Sequence, residues 1–322
     1  MRISAIVLAL GLATMSMAQD HFKFVVTGDG RWETKGGRPG DENGVNVTGM
    51  RRLVAAILQE KPAVLLFTGD TVGGTKDDDA QASQFKTWLN VMKPAYDAGI
   101  HVLVGRGNHE IHCPHANDVW RAAFSGPYAN PGGGPAGEED MTYAFTYGNA
   151  VFISLDQFQT KEPVINQAWL DKTLADNKQL HIFPFAHKMA FRVAHHVDGM
   201  DENVAARDKF MDSIANAGGR TFFCGHDHLY DHTAVTLPGW SDDKAIHQYV
   251  VGTAGAPFYT GTDHGGQNGA WKLNTLGHVE GKLGYCLVEV DGPKVTLTFK
   301  AENEKGAFED ADKFSYSVAA PR

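Results

Sequence analysis

The first third of the chain alternates between short apolar runs and longer segments in which apolar residues recur at helical spacing. The runs Phe22–Val26, Val64–Phe67 and Ile100–Val104 are typical of buried strands. A helix pattern over Met50–Gln59 separates the first two runs, and another over about 81–97 separates the last two. Strands that alternate with helices predict a parallel sheet with right-handed crossover connections.

Strand patterns predominate in the rest of the chain. A loop rich in glycine and proline over 125–140 precedes a hairpin pattern formed by Met141–Tyr147 and Val151–Leu155. Further helices are predicted over about 164–176 and 204–217, and further strands at Leu180–Phe185, Thr221–Cys224, His247–Val251, Tyr285–Val290 and Lys294–Lys300. This order predicts an α/β fold with four layers, an α/β/β/α sandwich of two packed mixed sheets with flanking helices.

Five short segments with metal-binding side chains follow predicted strands. They are Thr27-Gly28-Asp29, Thr68-Gly69-Asp70, Gly107-Asn108-His109-Glu110, Ala186-His187 and Gly225-His226-Asp227-His228. Because a parallel sheet brings the carboxyl ends of its strands to one edge, we expect these segments to converge. Asp, Asn and His without Cys suit Zn, Mn or Fe. Two such ions about 3.5–4 Å apart, sharing a carboxylate, are the usual arrangement for in-line attack on a phosphate.

In these motifs the chain resembles the calcineurin-like metallophosphoesterases, a group that includes the purple acid phosphatases. The resemblance covers roughly residues 22–257, and the segments Gly107–Glu110 and Gly225–His228 match the family's motifs fully. It implies a metal-dependent phosphoric ester hydrolase. In such an enzyme, water activated by two divalent or trivalent metal ions attacks phosphorus in line, and the choice among Mn, Zn and Fe stays open.

The resemblance also implies a role for each residue of the site. The ligands of the first ion would be Asp29, Asp70 and His228, and those of the second Asp70, Asn108, His187 and His226. His109 would be catalytic and give a proton to the leaving oxygen, unless it only forms a structural hydrogen bond to Glu110. For the lone histidine ligand, His181, His195 and His196 are alternatives to His187, and Asp227 is expected to support the ligands or to form a turn.

Two positions depart from the family's pattern. Gly73 stands where a purple acid phosphatase has a tyrosine, and Arg31 replaces a histidine ligand of the first ion. Arginine cannot bind a cation because it is always protonated. Two of the outcomes that stay open are that water completes the first site and that the first ion binds weakly. Alternatively, Arg31 contacts the substrate phosphate and is catalytic, or it forms a salt bridge to a carboxylate of the site.

Residues 1–18 have the features of a signal peptide. Arg2 precedes an apolar stretch from Ile3 to Ala13, and a small-x-small cleavage pattern follows at 16–18. The stretch is short for a membrane span, although a buried helix or an anchor is the alternative. We therefore expect a secreted or periplasmic protein without a membrane anchor after cleavage, and a single domain over 19–322.

Composition narrows the partners of the chain. Its formal net charge of −9 argues against binding to a nucleic acid backbone, so a small phosphate ester is the expected partner, and the oligomeric state stays open. Secretion permits one disulfide among Cys113, Cys224 and Cys286. Cys224 lies within a predicted strand and is expected to be a buried free thiol.

Two other functions stay open. A phosphodiesterase or nucleotidase would use the same site, and the segment Phe258–His278 would offer it Tyr259, His264 and Trp271 for stacking on a base, unless this segment is a plain surface loop. A degenerate, non-catalytic metal- or phosphate-binding protein is the third reading, and Arg31 motivates it.

Overall fold

Two β-sheets with helices on their outer faces make up the structure, a computed structural model that describes residues 20–32, 41–241, 244–262, 264, 266 and 268–319. The proposed signal peptide at 1–18 lies outside these residues. In chain order the elements are β1 (His21–Thr27), β2 (Asp41–Glu42), β3 (Val45–Asn46), α1 (Val47–Glu60), β4 (Val64–Phe67), α2 (Asp78–Asp97), β5 (His101–Val104), α3 (Ala116–Ala123), β6 (Tyr143–Tyr147), β7 (Ala150–Ser154), α4 (Gln167–Asp176), β8 (His181–Phe185), α5 (Val204–Asn216), β9 (Thr221–Cys224), β10 (Tyr230–Thr236), β11 (Ile246–Val251), β12 (Lys272–Val279), β13 (Gly284–Asp291), β14 (Lys294–Glu302) and β15 (Phe308–Ser317). Short 3-10 helices occur at His109–Ile111, Gly126–Tyr128 and Met200–Asn203.

Both large sheets are mixed. The six-stranded sheet has the order β15-β14-β13-β1-β4-β5, and the seven-stranded sheet has the order β12-β10-β11-β9-β8-β7-β6. Strands β1, β4 and β5 are parallel neighbours in the first sheet, and β7, β8 and β9 are parallel neighbours in the second. The carboxyl ends of adjacent strands therefore lie side by side in each sheet, which is the arrangement that brings loop residues together.

The layer between the sheets is aromatic. The ring of Phe24 in β1 lies 5.0 Å from the ring of Phe152, 4.7 Å from that of Phe183 and 6.0 Å from that of Phe223, all three in the other sheet. A second apolar cluster lies between the six-stranded sheet and helices α1, α2 and α3. A third lies between the seven-stranded sheet and helices α4 and α5. The predicted four-layer sandwich of two mixed sheets is confirmed.

All three cysteines are buried and none is in a disulfide, so the expectation of a free buried thiol at Cys224 is confirmed. The segment Phe258–His278 is not simply a loop, because β12 begins within it at Lys272. Among the described residues, no helix has both the length and the apolar character needed to cross a membrane.

Candidate metal centre

The predicted ligands meet where the two sheets face each other at their carboxyl edges. Asp29, Asp70 and Asn108 follow β1, β4 and β5, which are neighbours in the six-stranded sheet. His187 and His226 follow β8 and β9, which are neighbours in the seven-stranded sheet. Residues far apart in sequence thus lie in one buried region, because each of them follows the end of its strand by only a few residues.

Three of the site residues have a left-handed backbone. The φ angles are 62° at Asp29, 50° at Asp70 and 72° at His226, and only two other non-glycine residues in the described part of the chain have positive φ. This conformation is uncommon for residues other than glycine, and it costs of order 1–3 kcal/mol where the surroundings enforce it. Such backbone strain clusters at functional sites.

Two glycines of the motifs are required by close approach. A methyl group at Gly107 would collide with the side chain and backbone nitrogen of Asp70, and one at Gly225 would collide with a carboxylate oxygen of Asp29. The glycines that begin these motifs therefore make room for carboxylates delivered by other strands.

Three acceptor atoms lie around His187 Nε2, and we call this cluster of four the second position. His187 Nε2 lies 2.9 Å from Asn108 Oδ1, 3.3 Å from Asp70 Oδ1 and 3.2 Å from His226 Nδ1. Ligands held around one ion by bonds of about 2.0–2.2 Å are themselves about 3.0–3.4 Å apart, so these separations fit a bound metal ion.

The outer nitrogens of the histidines fix which ring atom faces the site. His187 Nδ1 donates to Thr68 O over 2.9 Å, and His226 Nε2 donates to Asp198 Oδ1 over 3.2 Å. In the neutral rings His187 Nε2 and His226 Nδ1 therefore carry lone pairs, and these point at each other. A proton or a metal ion between the two nitrogens makes that arrangement favourable, and bonding of the outer nitrogen to a carbonyl or carboxylate is characteristic of metal-binding histidines.

The first position is arranged differently. His228 Nδ1 donates to Pro257 O over 2.7 Å, so His228 Nε2 faces inward, 3.5 Å from Asp29 Oδ1. Arg31, which is only 4% exposed, lies beside it: its Nε donates to Asp70 Oδ2 over 3.1 Å, and its Nη2 lies 3.4 Å from His228 Nε2. Of the roles left open for Arg31, the structure contains the salt bridge to a site carboxylate, and contact with the phosphate stays a prediction.

Burial governs the charges at the site. Burial raises the pKa of Asp29 to about 7, and the charge of Asp70 adds to the increase. Burial acts on Asp70 as well, but the nearby rings of His187 and His109 and the guanidinium of Arg31 outweigh it and lower the pKa of this carboxylate. Burial also lowers the pKa of His228 to about 3, and Arg31 contributes to this shift. The histidine is therefore neutral, and its inner nitrogen is an acceptor.

His109 is held at the edge of the second position. Its Nδ1 donates to Gly73 O over 2.5 Å, and its backbone nitrogen donates to Asp70 Oδ1 over 3.1 Å. Its Nε2 lies 3.8 Å from Asp70 Oδ2, and the side chain is 13% exposed. The ring is thus fixed by a carbonyl rather than by Glu110, while its Nε2 lies on the side of Asp70.

Glu110 supports the site in a way that the motif alone did not indicate. Its fully buried carboxylate accepts hydrogen bonds from the backbone nitrogens of Asp70, Thr71, Val72 and Gly107 and from the hydroxyl of Thr71. Burial, together with the nearby charge of Asp70, raises the pKa of Glu110 to about 7. One side chain therefore ties the loop after β4 to the loop after β5.

We expect Glu110→Gln to weaken metal binding and to lower the melting temperature. The amide would turn an NH₂ group toward backbone N–H donors, and each buried donor left unsatisfied costs about 1–3 kcal/mol. Metal affinity by calorimetry and thermal unfolding measure the two effects. Glu138→Gln is the matched control, because this buried carboxylate is bonded to side chains outside the site, Thr142 and Asn166. Equal effects in both variants would contradict the role of Glu110.

A loop after His187 adds residues that sequence reasoning missed. Asp198 bonds His226 and also accepts from Lys188 Nζ over 2.6 Å. The ring of His196 stacks on that of His226, with centroids 3.7 Å apart. Asp227 holds this loop by accepting from the backbone nitrogens of 194, 195 and 196, in agreement with its expected supporting role. The adjacent histidines His195 and His196 are the feature of the sequence that could have indicated this loop.

The fold and the donor set define an α/β protein with a candidate metal-binding site between two sheets. Residues 22–230 match the sequence profile of the calcineurin-like phosphoesterases, so this chain belongs to that family. The resemblance inferred from the motifs is confirmed. No curated protein matches the chain in sequence.

Solved structures share the fold at low sequence identity. The purple acid phosphatase PPD1 from yellow lupin (Lupinus luteus) seeds is 16% identical with a TM-score of 0.64, and the match covers 92% of this chain but 54% of that one. The chain thus spans about half the length of the lupin protein. A dimetal phosphatase from Danio rerio (12% identity, TM-score 0.59, 92% and 99% covered) and GAP50, the anchor in the inner membrane complex of Plasmodium (13%, 0.55, 94% and 90%), are also similar.

Proposed function

We propose that this protein is a metal-dependent phosphoesterase that hydrolyses small phosphate monoesters. The observation that carries the proposal is the cluster of four inward-facing acceptors, Asp70 Oδ1, Asn108 Oδ1, His187 Nε2 and His226 Nδ1, next to the ring of His109. Membership of the phosphoesterase family supports the reaction class. The signal-like pattern at 1–18 supports the further proposal that the enzyme is secreted or periplasmic.

Each residue of the site has a task that its geometry supports. Asp70, Asn108, His187 and His226 would hold the metal ion, which supplies Lewis-acid stabilisation of phosphate charge and makes water a nucleophile near neutral pH. Asn108 contributes an oxygen without adding negative charge near the incoming phosphate. The hydrogen bond from Nδ1 to Gly73 O orients His109 so that Nε2 can hold a proton and give it to the leaving oxygen.

Recognition of a nucleotide through stacking on its base receives less support from the structure. The ring of Tyr259 is stacked between those of His195 and His228, at centroid distances of 3.9 and 4.2 Å, so both of its faces are covered. Trp271 is buried and donates to Asp208. His264 contacts Thr275 and Thr233. The three side chains considered for base stacking are therefore engaged elsewhere, which counts against recognition of a nucleotide base.

A binding protein without activity is the remaining rival. A protein described as an anchor shares this fold, so the fold alone does not establish catalysis. The retention of His109 beside a full set of metal donors favours catalysis, because a protein that only binds metal has no use for an oriented proton donor.

Hydrolysis of two aryl substrates tests the proposal. Protein stripped with a chelator and reloaded with Mn²⁺, Zn²⁺ or Fe²⁺ is assayed with p-nitrophenyl phosphate and with bis(p-nitrophenyl) phosphate. We expect the monoester to be hydrolysed faster, the stripped protein to be inactive, and reloading to restore activity. Faster diester hydrolysis would favour the phosphodiesterase, and bound metal without turnover on either substrate would favour the binding protein.

A further inference from the structure

Arg31 donates to the atoms that a first metal ion would need as ligands. Asp70 Oδ1 faces the second position, and Arg31 Nε donates to the other oxygen, Oδ2. His228 Nδ1 is bonded to Pro257 O, and the remaining ring nitrogen faces Arg31 Nη2 at 3.4 Å. The donors of the guanidinium are thus directed at the acceptors of the first position.

The third acceptor of the first position, Asp29, is held by the main chain. Both oxygens of Asp29 accept from the backbone nitrogen of His226, at 3.2 and 3.1 Å. The two positions therefore differ in kind. At the second, acceptors lie around His187 Nε2, whereas at the first, Arg31 contacts two of the three acceptors, Asp70 Oδ2 and His228 Nε2. A metal ion there would lie against a guanidinium that cannot lose its proton.

The main chain keeps Arg31 in place. Its backbone nitrogen donates to Asp70 O over 3.1 Å, and the residue pairs with Val45 in an isolated β-bridge. The side chain is 4% exposed and its charge is opposed by the buried Asp70. Moving the guanidinium away would leave that carboxylate with one cation fewer in a water-poor site, which is costly.

We propose that the protein binds one metal ion per chain, at Asp70, Asn108, His187 and His226, and that the guanidinium of Arg31 takes the place of the other ion. This inference rests on the proposed function and changes its expected cofactor from two ions to one. A permanent cation at the first position preserves the positive charge that a phosphate needs, independently of metal supply.

Counting bound metal tests the inference without an activity assay. Chelator-stripped protein is titrated with Mn²⁺ and followed by native mass spectrometry and by electron paramagnetic resonance. We expect one ion per wild-type chain, with the spectrum of an isolated Mn²⁺. Arg31→His adds a ligand and removes the charge, so it is expected to bind two ions with the spectrum of a coupled pair. Arg31→Ala, which removes the charge without adding a ligand, is expected to bind the added ion more weakly than Arg31→His.

Each outcome is informative. Equal binding of two ions by the His and Ala variants supports the inference and shows that the charge alone excludes the ion. Two ions in the wild type, or one ion in a folded Arg31→His variant, overturn it. The wild-type count needs no variant, so misfolding of a variant leaves the test intact. Two ions accompanied by hydrolysis would leave the proposed function standing, whereas a wild type that binds no ion and hydrolyses nothing would overturn both.

Discussion

Asp70→Asn is expected to abolish turnover and to remove the bound metal. One oxygen of Asp70 faces the second position, 3.3 Å from His187 Nε2, and the other accepts from Arg31 Nε. An amide has one oxygen for these two tasks, and its NH₂ group would point at a metal ion or at a guanidinium. We expect kcat/KM to fall by more than about 10³-fold, beyond the loss typical of a single electrostatic contact. Elemental analysis and the aryl phosphate assay measure both effects.

Asp231→Asn is the matched control for this substitution. Asp231 is fully buried in β10, where it accepts from Thr233 and pairs with His278 outside the site. We expect this variant to keep its metal and its turnover. An Asp70→Asn protein with full metal content and full activity would show that Asp70 is not a ligand.

His109→Ala is expected to keep the metal and to lose turnover. His109 contributes no atom to the four-acceptor cluster, whereas its Nε2 is the group placed to protonate a leaving oxygen. General acid assistance is typically worth about 10²–10⁴-fold. We expect the loss to grow as the leaving group becomes more basic, so a series of aryl and alkyl phosphates measures it better than one substrate.

His112→Ala provides the comparison for His109. The two rings are neighbours, with centroids 4.9 Å apart, but His112 lies on the exposed side. We expect a small loss that does not depend on the leaving group. If His109→Ala loses its metal instead, His109 is a ligand and the assignment of roles is wrong.

The strands that position the site could be predicted because they are buried on both faces. The four-residue strands β4 and β9 were predicted to the residue, since each is a continuous apolar run. The edge strands β12 and β15 were missed because most of their side chains are partly or fully exposed, which leaves no apolar run. Strand β10 is buried but was also missed, because Asp231 and His232 interrupt its apolar pattern and form hydrogen bonds with residues distant in sequence, His278 and Asp312.

The residues of the site could be chosen from sequence, but their contacts could not. Motif spacing after strands indicated which side chains would converge, and the structure brings all six predicted ligands, Arg31 and His109 into one region. The roles of Asp198 and Glu110 depend on hydrogen bonds to loops far away in sequence. The salt-bridge partner of Arg31 could not be predicted either, because it depends on which of several nearby carboxylates the guanidinium reaches. That is set by distances in the folded protein and not by the spacing of residues in the sequence.

The left-handed backbone at Asp29 and Asp70 limits what these positions can become. Aspartate, asparagine and glycine tolerate this conformation, whereas β-branched and bulky side chains do not. Many substitutions at either position are therefore expected to destabilise the fold, whatever their effect on metal binding. An alanine scan would confound the two effects, because alanine brings conformational strain along with the missing carboxylate. A related protein that has lost the metal could still fold with asparagine or glycine in place of Asp29 or Asp70. Asparagine or glycine at these positions would therefore indicate a former metal site.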